Sequence, residues 1–149
     1  MMSFIEDASR LKKSLALILM TALYGVTRCT NLLLLPIFND EAIYIHWASI
    51  IREDPSNLFI SAIDGKTWLF MWLNSLTLRI SGDILLSGRI ISVVSGALTV
   101  AGIYLIGRKL YSNGIGWIAS LIYLLLPFSL MHDRLALVDS LLTAFVIGL

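Results

Sequence analysis

Apolar residues fill four stretches of the chain, and the charged residues gather at their ends. A bilayer core about 30 Å thick takes roughly 20 apolar helical residues to cross. Residues 15–35 reach that length behind Arg10, Lys12 and Lys13. The run is too long for a signal-peptide core, and no small-x-small cleavage site precedes Asn39, so it reads as an uncleaved first span. A second span is expected over 85–106, followed by Arg108 and Lys109. A third is expected over 115–131, after the turn residues Ser112-Asn113-Gly114. His132, Asp133 and Arg134 make a polar break, with His132 and Asp133 read as loop residues. The last apolar run, 135–149, stops short of a full crossing. The chain therefore reads as the N-terminal part of a larger protein, a piece expected to be inactive alone.

The connection over 36–84 carries its own periodicity. Ile43, Trp47, Ile50 and Ile51 recur at helical spacing, which predicts an amphipathic helix. Asn39 or Asp40 would cap its start, and Asp54-Pro55 would end it. A second helix is predicted over 68–80, stopping at Gly82. At 1.5 Å per residue it covers only about 20 Å, too little to cross a bilayer. Its aromatics Trp68, Phe70 and Trp72 suit the headgroup layer. Asp64-Gly65 between the two helices is a turn dipeptide. The expected fold is all-α: a polytopic transmembrane helical bundle of about four spans with two interfacial helices in the first outer loop. A re-entrant hairpin is the alternative for that loop.

The positive-inside rule sets the orientation. Lys12 and Lys13 before the first span, and Arg108 and Lys109 after the second, fall on one side, taken as cytoplasmic together with the N-terminus. The 36–84 loop and the 132–139 region then share the outer side.

Composition agrees with a multi-pass protein of the cell membrane. Hydrophobic residues make up 58% of the chain and charged residues 14%, against about 25% charged in soluble domains. Mean hydropathy is +0.86. The net charge of +1 points to no polyanionic partner, and no basic stripe for nucleic acid is present. Cys29 is the single cysteine, so no intrachain disulfide forms. It and the two histidines are too far apart in sequence to build a Cys/His metal cluster. No phosphate-cradling glycine pattern and no serine-hydrolase elbow occurs.

Several polar residues remain to be explained. Asp40 and Glu41 fall in the first turn of the predicted loop helix, where carboxylates favour the helix N-terminus. The same position at a membrane rim suits a general base. Lys66 is either a lysine snorkelling to headgroups or a point charge for a phosphate. Arg134 and Asp139 flank "LALV", and Asp139 sits inside an apolar run, where a carboxylate usually faces a polar cavity. Arg28, inside the first span, is expected to snorkel or to pair with an acid. His46, beside Trp47, reads as interfacial.

In order, "NDEAIYIHWA", "DGKTWLFMWL", "GRIISVVSGALTVAGIYLIGRKLY" and "LPFSLMHDRLALVD" resemble the N-terminal part of membrane glycosyltransferases of the GT-C class. The nearest branch holds the protein O-mannosyltransferases, the lipid A aminoarabinose transferases and the Rgt-type lipopolysaccharide transferases of rhizobia. The resemblance runs from about residue 15 to the end. It implies transfer of a sugar from a polyprenyl-phosphate carrier to a hydroxyl or amine of a lipid, glycan or protein acceptor, with inversion at the anomeric carbon. By match to the family's motifs, Asp40 would be the catalytic base, supported by Glu41. Lys66, joined by Arg134, would bind the donor and stabilise charge on its leaving phosphate; Arg134 and Asp139 belong to a second outer-loop motif whose acid, Asp139, helps shape the catalytic site. The aminoarabinose branch has "EKPP" where this chain has "GKTW". Gly65 thus removes a glutamate ligand for a divalent metal, and no cofactor is assigned. Two rival functions share these features: a non-catalytic membrane fragment or scaffold, and a transporter of lipid-linked sugars.

Overall fold

In a computed structural model, the backbone is described for residues 2–149, and side chains for 11–78 and 80–149. The described residues form helices and turns, with no strand. In chain order the α-helices are α1 (Met2–Cys29), α2 (Asn39–Glu53), α3 (Leu69–Ser81), α4 (Ile84–Leu110), α5 (Asn113–Leu125), α6 (Pro127–His132) and α7 (Val138–Gly148). Short 3-10 turns occupy Leu32–Leu34, Pro55–Asn57 and Ile60–Asp64. Leu11–Leu34 and Ile84–Leu110 are long and apolar enough to cross a membrane.

Local chemistry explains the boundaries. Asp83 caps α4, its Oδ1 accepting from Leu86 N at 2.8 Å, and Ser112 caps α5 by accepting from Ile115 N. Gly82 ends α3 with φ 72°, a left-handed turn that suits glycine. The helix predicted over 68–80 is therefore found almost as read. In α2 the cap is Phe38, one residue before the expected Asn39, with Asp40 and Glu41 in the first turn.

Three apolar runs differ from the sequence reading. The run over 15–35 stops being α-helical at Cys29 and turns through Asn31, at φ 51°. Beyond the turn, the carbonyls of Leu32, Leu35 and Pro36 all accept from Arg89, which a continuing helix would not allow. The run over 115–131 breaks at Leu126, held extended (ψ 121°) ahead of Pro127. The run over 135–149 becomes helical only at Val138. Before it, Ala136 N donates to Glu41 and the Leu137 carbonyl accepts from Ser92 Oγ.

The core sits where α2, α3, α4 and the 135–137 segment meet. Tyr44, Trp47, Ile51, Phe70, Met71, Ile91, Leu135, Ala136 and Leu137 are buried together. The buried face of α2 is thus turned from the predicted one. Tyr44 enters the core while Ile43 is left 36% exposed. The set Ile43, Trp47, Ile50 and Ile51 left out Tyr44, whose ring buries its body and leaves its hydroxyl at the edge.

Along α4 the buried face reads Ser87, Gly88, Ser92, Ser95, Gly96 and Thr99. Small residues let neighbouring backbones approach closely. A Cβ on Gly88 would meet Ala136 Cβ at 2.6 Å, and one on Gly116 would meet the Tyr104 carbonyl at 2.7 Å.

Candidate active site

The site is built around two buried ion pairs that tie distant segments together. Glu41, in the first turn of α2, is bidentate to Arg89 of α4: Nε to Oε1 and Nη2 to Oε2, each 2.8 Å. Oε1 also accepts from Ala136 N at 2.6 Å, and Oε2 from Phe38 N at 3.0 Å. Both side chains are fully buried. Burial alone would push the Glu41 pKa up, but the Arg89 guanidinium and the Ala136 and Phe38 amides outweigh it and hold it below the usual value. Glu41 stays ionised, with both oxygens engaged. That arrangement suits a support for its neighbour better than a proton acceptor.

The second pair is Arg28 of α1 and Asp133, the residue after α6, with Nε to Oδ2 at 3.5 Å and both side chains buried. Arg28 also donates to the Leu124 carbonyl at 2.7 Å, and Asp133 Oδ1 accepts from Tyr123 and Ser140 hydroxyls. The pairing expected for Arg28 is present. Asp133 lies in the turn after α6, as read, but it is fully buried there against Arg28 and not at the surface. Gly96 makes room for it: a Cβ there would meet Asp133 Cγ and Tyr24 Oη, each at 2.5 Å.

Arg134 sits beside this pair. Its guanidinium donates to the carbonyls of Thr27 (3.0 Å), Thr30 (2.8 Å) and Asn31 (3.4 Å), the orphan acceptors at the end of α1. The structure thus gives it partners at the end of the first helix, two of them at the surface, and leaves its Nε without a hydrogen-bond partner among the described residues.

Asp40, Lys66 and Asp139 form the open part of the site. The ion pairs among the described residues are Arg28–Asp133 and Arg89–Glu41, which leaves these three outside them. Asp40 is half-buried, while Lys66 and Asp139 are exposed. Lys66 Nζ lies 5.8 Å from the Tyr44 ring centroid. The Tyr44 phenol, and behind it the Asp40 and Asp139 carboxylates, raise the lysine pKa and keep it charged. Both acids therefore sit within electrostatic reach of one lysine. The Glu41–Ala136 bond is what brings residues 40 and 139 together, since Ala136 is only one short extended step from the start of α7.

A groove of about 380 Å³ opens next to this cluster, lined by Thr67, Trp68, Leu69 and Phe70 on one wall and Val138, Leu141, Leu142 and Phe145 on the other. Lys66 precedes the first residue of one wall, Thr67, and Asp139 follows Val138 of the other, on the opposite face of α7. The donor set does not suit a divalent metal. No group of three His, Cys, Asp or Glu side chains among the described residues converges on one point, and Glu41 is already saturated by Arg89.

Arg89 is the residue the sequence reading passed over. Its signal was an arginine inside an apolar helical run, the same signal that drew attention to Arg28. The acid that pairs with it lies 48 positions earlier, a separation that no local pattern reveals.

The family model for dolichyl-phosphate-mannose-protein mannosyltransferase matches residues 65–149. The match takes in Lys66, Arg89, Asp133, Arg134 and Asp139, and begins after Asp40 and Glu41. No curated protein and no solved structure matches the chain.

Proposed function

We propose a reaction for this chain from the premise that it belongs to the dolichyl-phosphate-mannose-protein mannosyltransferase family, membrane glycosyltransferases of the GT-C type. The donor is a polyprenyl-phosphate sugar whose tail lies in the groove between α3 and α7, with its phosphate at Lys66. The observation that carries this reading is the placement of Lys66. It is a cation that feels the Asp40 and Asp139 carboxylates and directly precedes Thr67, where one wall of the apolar groove begins. A ligand with an anionic head and a hydrocarbon tail matches that arrangement in both parts.

Asp40 is the general base. An acceptor hydroxyl attacks the anomeric carbon on the side opposite the phosphate. Its proton passes to the Asp40 carboxylate, and the bond from the anomeric carbon to the phosphate oxygen breaks. Polyprenyl phosphate departs with the electron pair, and the configuration inverts. An aligned carboxylate contributes roughly 10²–10⁴-fold to such a step. Lys66 stabilises charge growing on the leaving phosphate. Glu41, locked on Arg89, fixes the turn that presents Asp40. Arg134 secures the end of α1, and Asp139 faces the acceptor side.

The site lies on the outer face. Arg89 and Arg108 are separated along α4 by about 29 Å of helical rise, close to a bilayer core. This supports placing Arg108 and Lys109 at the cytoplasmic surface and the Asp40 cluster at the opposite one. α1 and α4 supply two of four crossings by length; the third runs through α5 and α6 across the break at Pro127 and the fourth begins at α7, with α2 and α3 lying along the surface.

Reconstituting the full-length protein with a polyprenyl-phosphate sugar tests the reaction. Wild type should release polyprenyl phosphate and form a glycosidic product, Asp40→Asn should lose at least about 10²-fold in kcat, and Lys66→Ala should also be impaired. Movement of the donor across the membrane without product would replace this reading with transport.

A further inference from the structure

The two sides of α7 differ in chemistry. Val138, Leu141, Leu142 and Phe145 follow the i, i+3, i+4, i+7 spacing of one helix face and wall the apolar groove. Asp139, Ser140 and Thr143 fall on the opposite face and wall a second pocket of about 200 Å³. Tyr123, Ser129, His132 and Asp133 close that pocket from α5, α6 and the turn after it.

Three features give the second pocket a ligand chemistry. Its inner wall is polar and fixed: Asp133 is fully buried and Ser129 and Ser140 nearly so. The Asp133 carboxylate is held from inside: Oδ1 accepts from the Tyr123 and Ser140 hydroxyls, while Oδ2 faces Arg28 Nε and the Gly96 backbone, away from the pocket. The polar side chains left wholly or partly open to a ligand are Asp139, Thr143 and His132. Its outer wall is aromatic. Phe128 stacks on His132 with centroids 3.9 Å apart, and Phe128 is 67% exposed. Its volume falls below the roughly 300–1,000 Å³ of sites for drug-sized ligands, which limits the occupant to about one ring.

We propose that this pocket seats one sugar ring of a saccharide acceptor, so that the transferase extends a glycan and does not start one on a polypeptide. A pyranose presents C–H hydrogens on one face and hydroxyls around its rim. The electron-rich face of an aromatic ring attracts the first. The Asp139 carboxylate, the Thr143 hydroxyl and the His132 ring bind the second. Asp139 belongs to this pocket and also acts on Lys66, so it places the acceptor next to the donor phosphate. The direction of transfer rests on the reaction proposed above; sugar binding does not.

Saturation-transfer NMR on the full-length protein in lipid nanodiscs tests the binding directly. The probes are neutral trisaccharides ending in galactose, glucose or mannose, and a Ser/Thr-rich peptide of similar mass. At least one trisaccharide should show saturation on the C–H face of its terminal ring. Phe128→Ala should weaken its binding about tenfold, the loss of one stacked aromatic contact. Phe128→Trp, which keeps an aromatic face, should retain binding and so exclude unfolding as the cause. Saturation confined to the peptide, absent with every saccharide, or unchanged in Phe128→Ala would overturn the assignment. Release of donor sugar to water by wild type is measured separately. Absence of both this release and any glycosidic product with the trisaccharides, alongside intact sugar binding, would sink the transferase reaction and keep the pocket as a sugar site.

Discussion

Arg89 holds more of this protein in place than any other residue described, and it does so from inside an apolar helix. Its fork takes Glu41 with two bonds and the Leu32–Pro36 turn with three more. Removing one partner of a buried pair leaves the other charged and unpaired, at a cost of about 3–5 kcal/mol. Arg89→Met should therefore lower the midpoint of thermal unfolding sharply. Arg89→Lys should recover only part of the loss, because a point charge does not reproduce the bidentate geometry. An unchanged midpoint in Arg89→Met would remove the pair from the account of stability. The same pair gives a pH signature. The Glu41 pKa is depressed in the folded state, so its stabilisation is complete above the ordinary glutamate range and is lost as pH falls through the folded value. Acid unfolding followed by intrinsic tryptophan fluorescence should accordingly be less pH-dependent in Glu41→Gln than in wild type. At this scale the sequence showed which residues were out of place, since a charge in an apolar run is visible. It did not show their partners: Arg28 was read as needing an acid, and only the fold identifies Asp133 as that acid.

Helix ends were legible where a side chain or glycine makes the boundary locally, as at Gly82, Asp83 and Ser112. They were less legible where a distant group decides. The end of α1 depends on Arg89 and Arg134, and the late start of α7 depends on Glu41 taking the Ala136 amide. The break at Pro127 had a local signal, a proline inside an apolar run, which the hydropathy of the run concealed. Packing between α4 and α5 offers a test at this scale. Their backbones approach at Gly107 and Gly116, where an added Cβ would lie 2.9 Å from Gly116 Cα or 2.7 Å from the Tyr104 carbonyl. Gly116→Val should destabilise the protein by about 1–3 kcal/mol through overpacking. Gly114→Ala, where a Cβ would meet only Ser112 Oγ at 3.9 Å, serves as the comparison and should cost far less. Equal melting temperatures for the two variants would mean that this helix contact is not close in the membrane.

Across the whole molecule, the chemistry collects at one end of the long helices. Arg28, Arg89, Asp133 and Ala136 are joined there, while Arg108 and Lys109 lie at the far end of α4. The four-span, outer-site arrangement proposed from this can be tested with single cysteines in a Cys29→Ser background. An impermeant maleimide should label a cysteine at Asn57 from the outer side and one at Lys109 from the cytoplasmic side; the opposite pattern would invert the topology. The membrane character and all-helical class of the protein were open to reading from hydropathy alone. The knot that unites α2, α4 and the 135–137 segment was not, because its members are dispersed along the chain. One consequence follows from how α1 is attached. Among the described residues, its polar ties, from Tyr24, Arg28 and the Arg134 clasp, fall in its last turns. Further back, an apolar crevice of about 210 Å³ lies among Leu17, Met20, Ala101, Tyr104 and Trp117. Over its described residues the helix is thus moored by polar bonds near its end and by apolar contact beside the crevice. Tilting it about that mooring would open or shut a berth for an acyl chain while the Arg28–Asp133 pair stayed in place at the pivot.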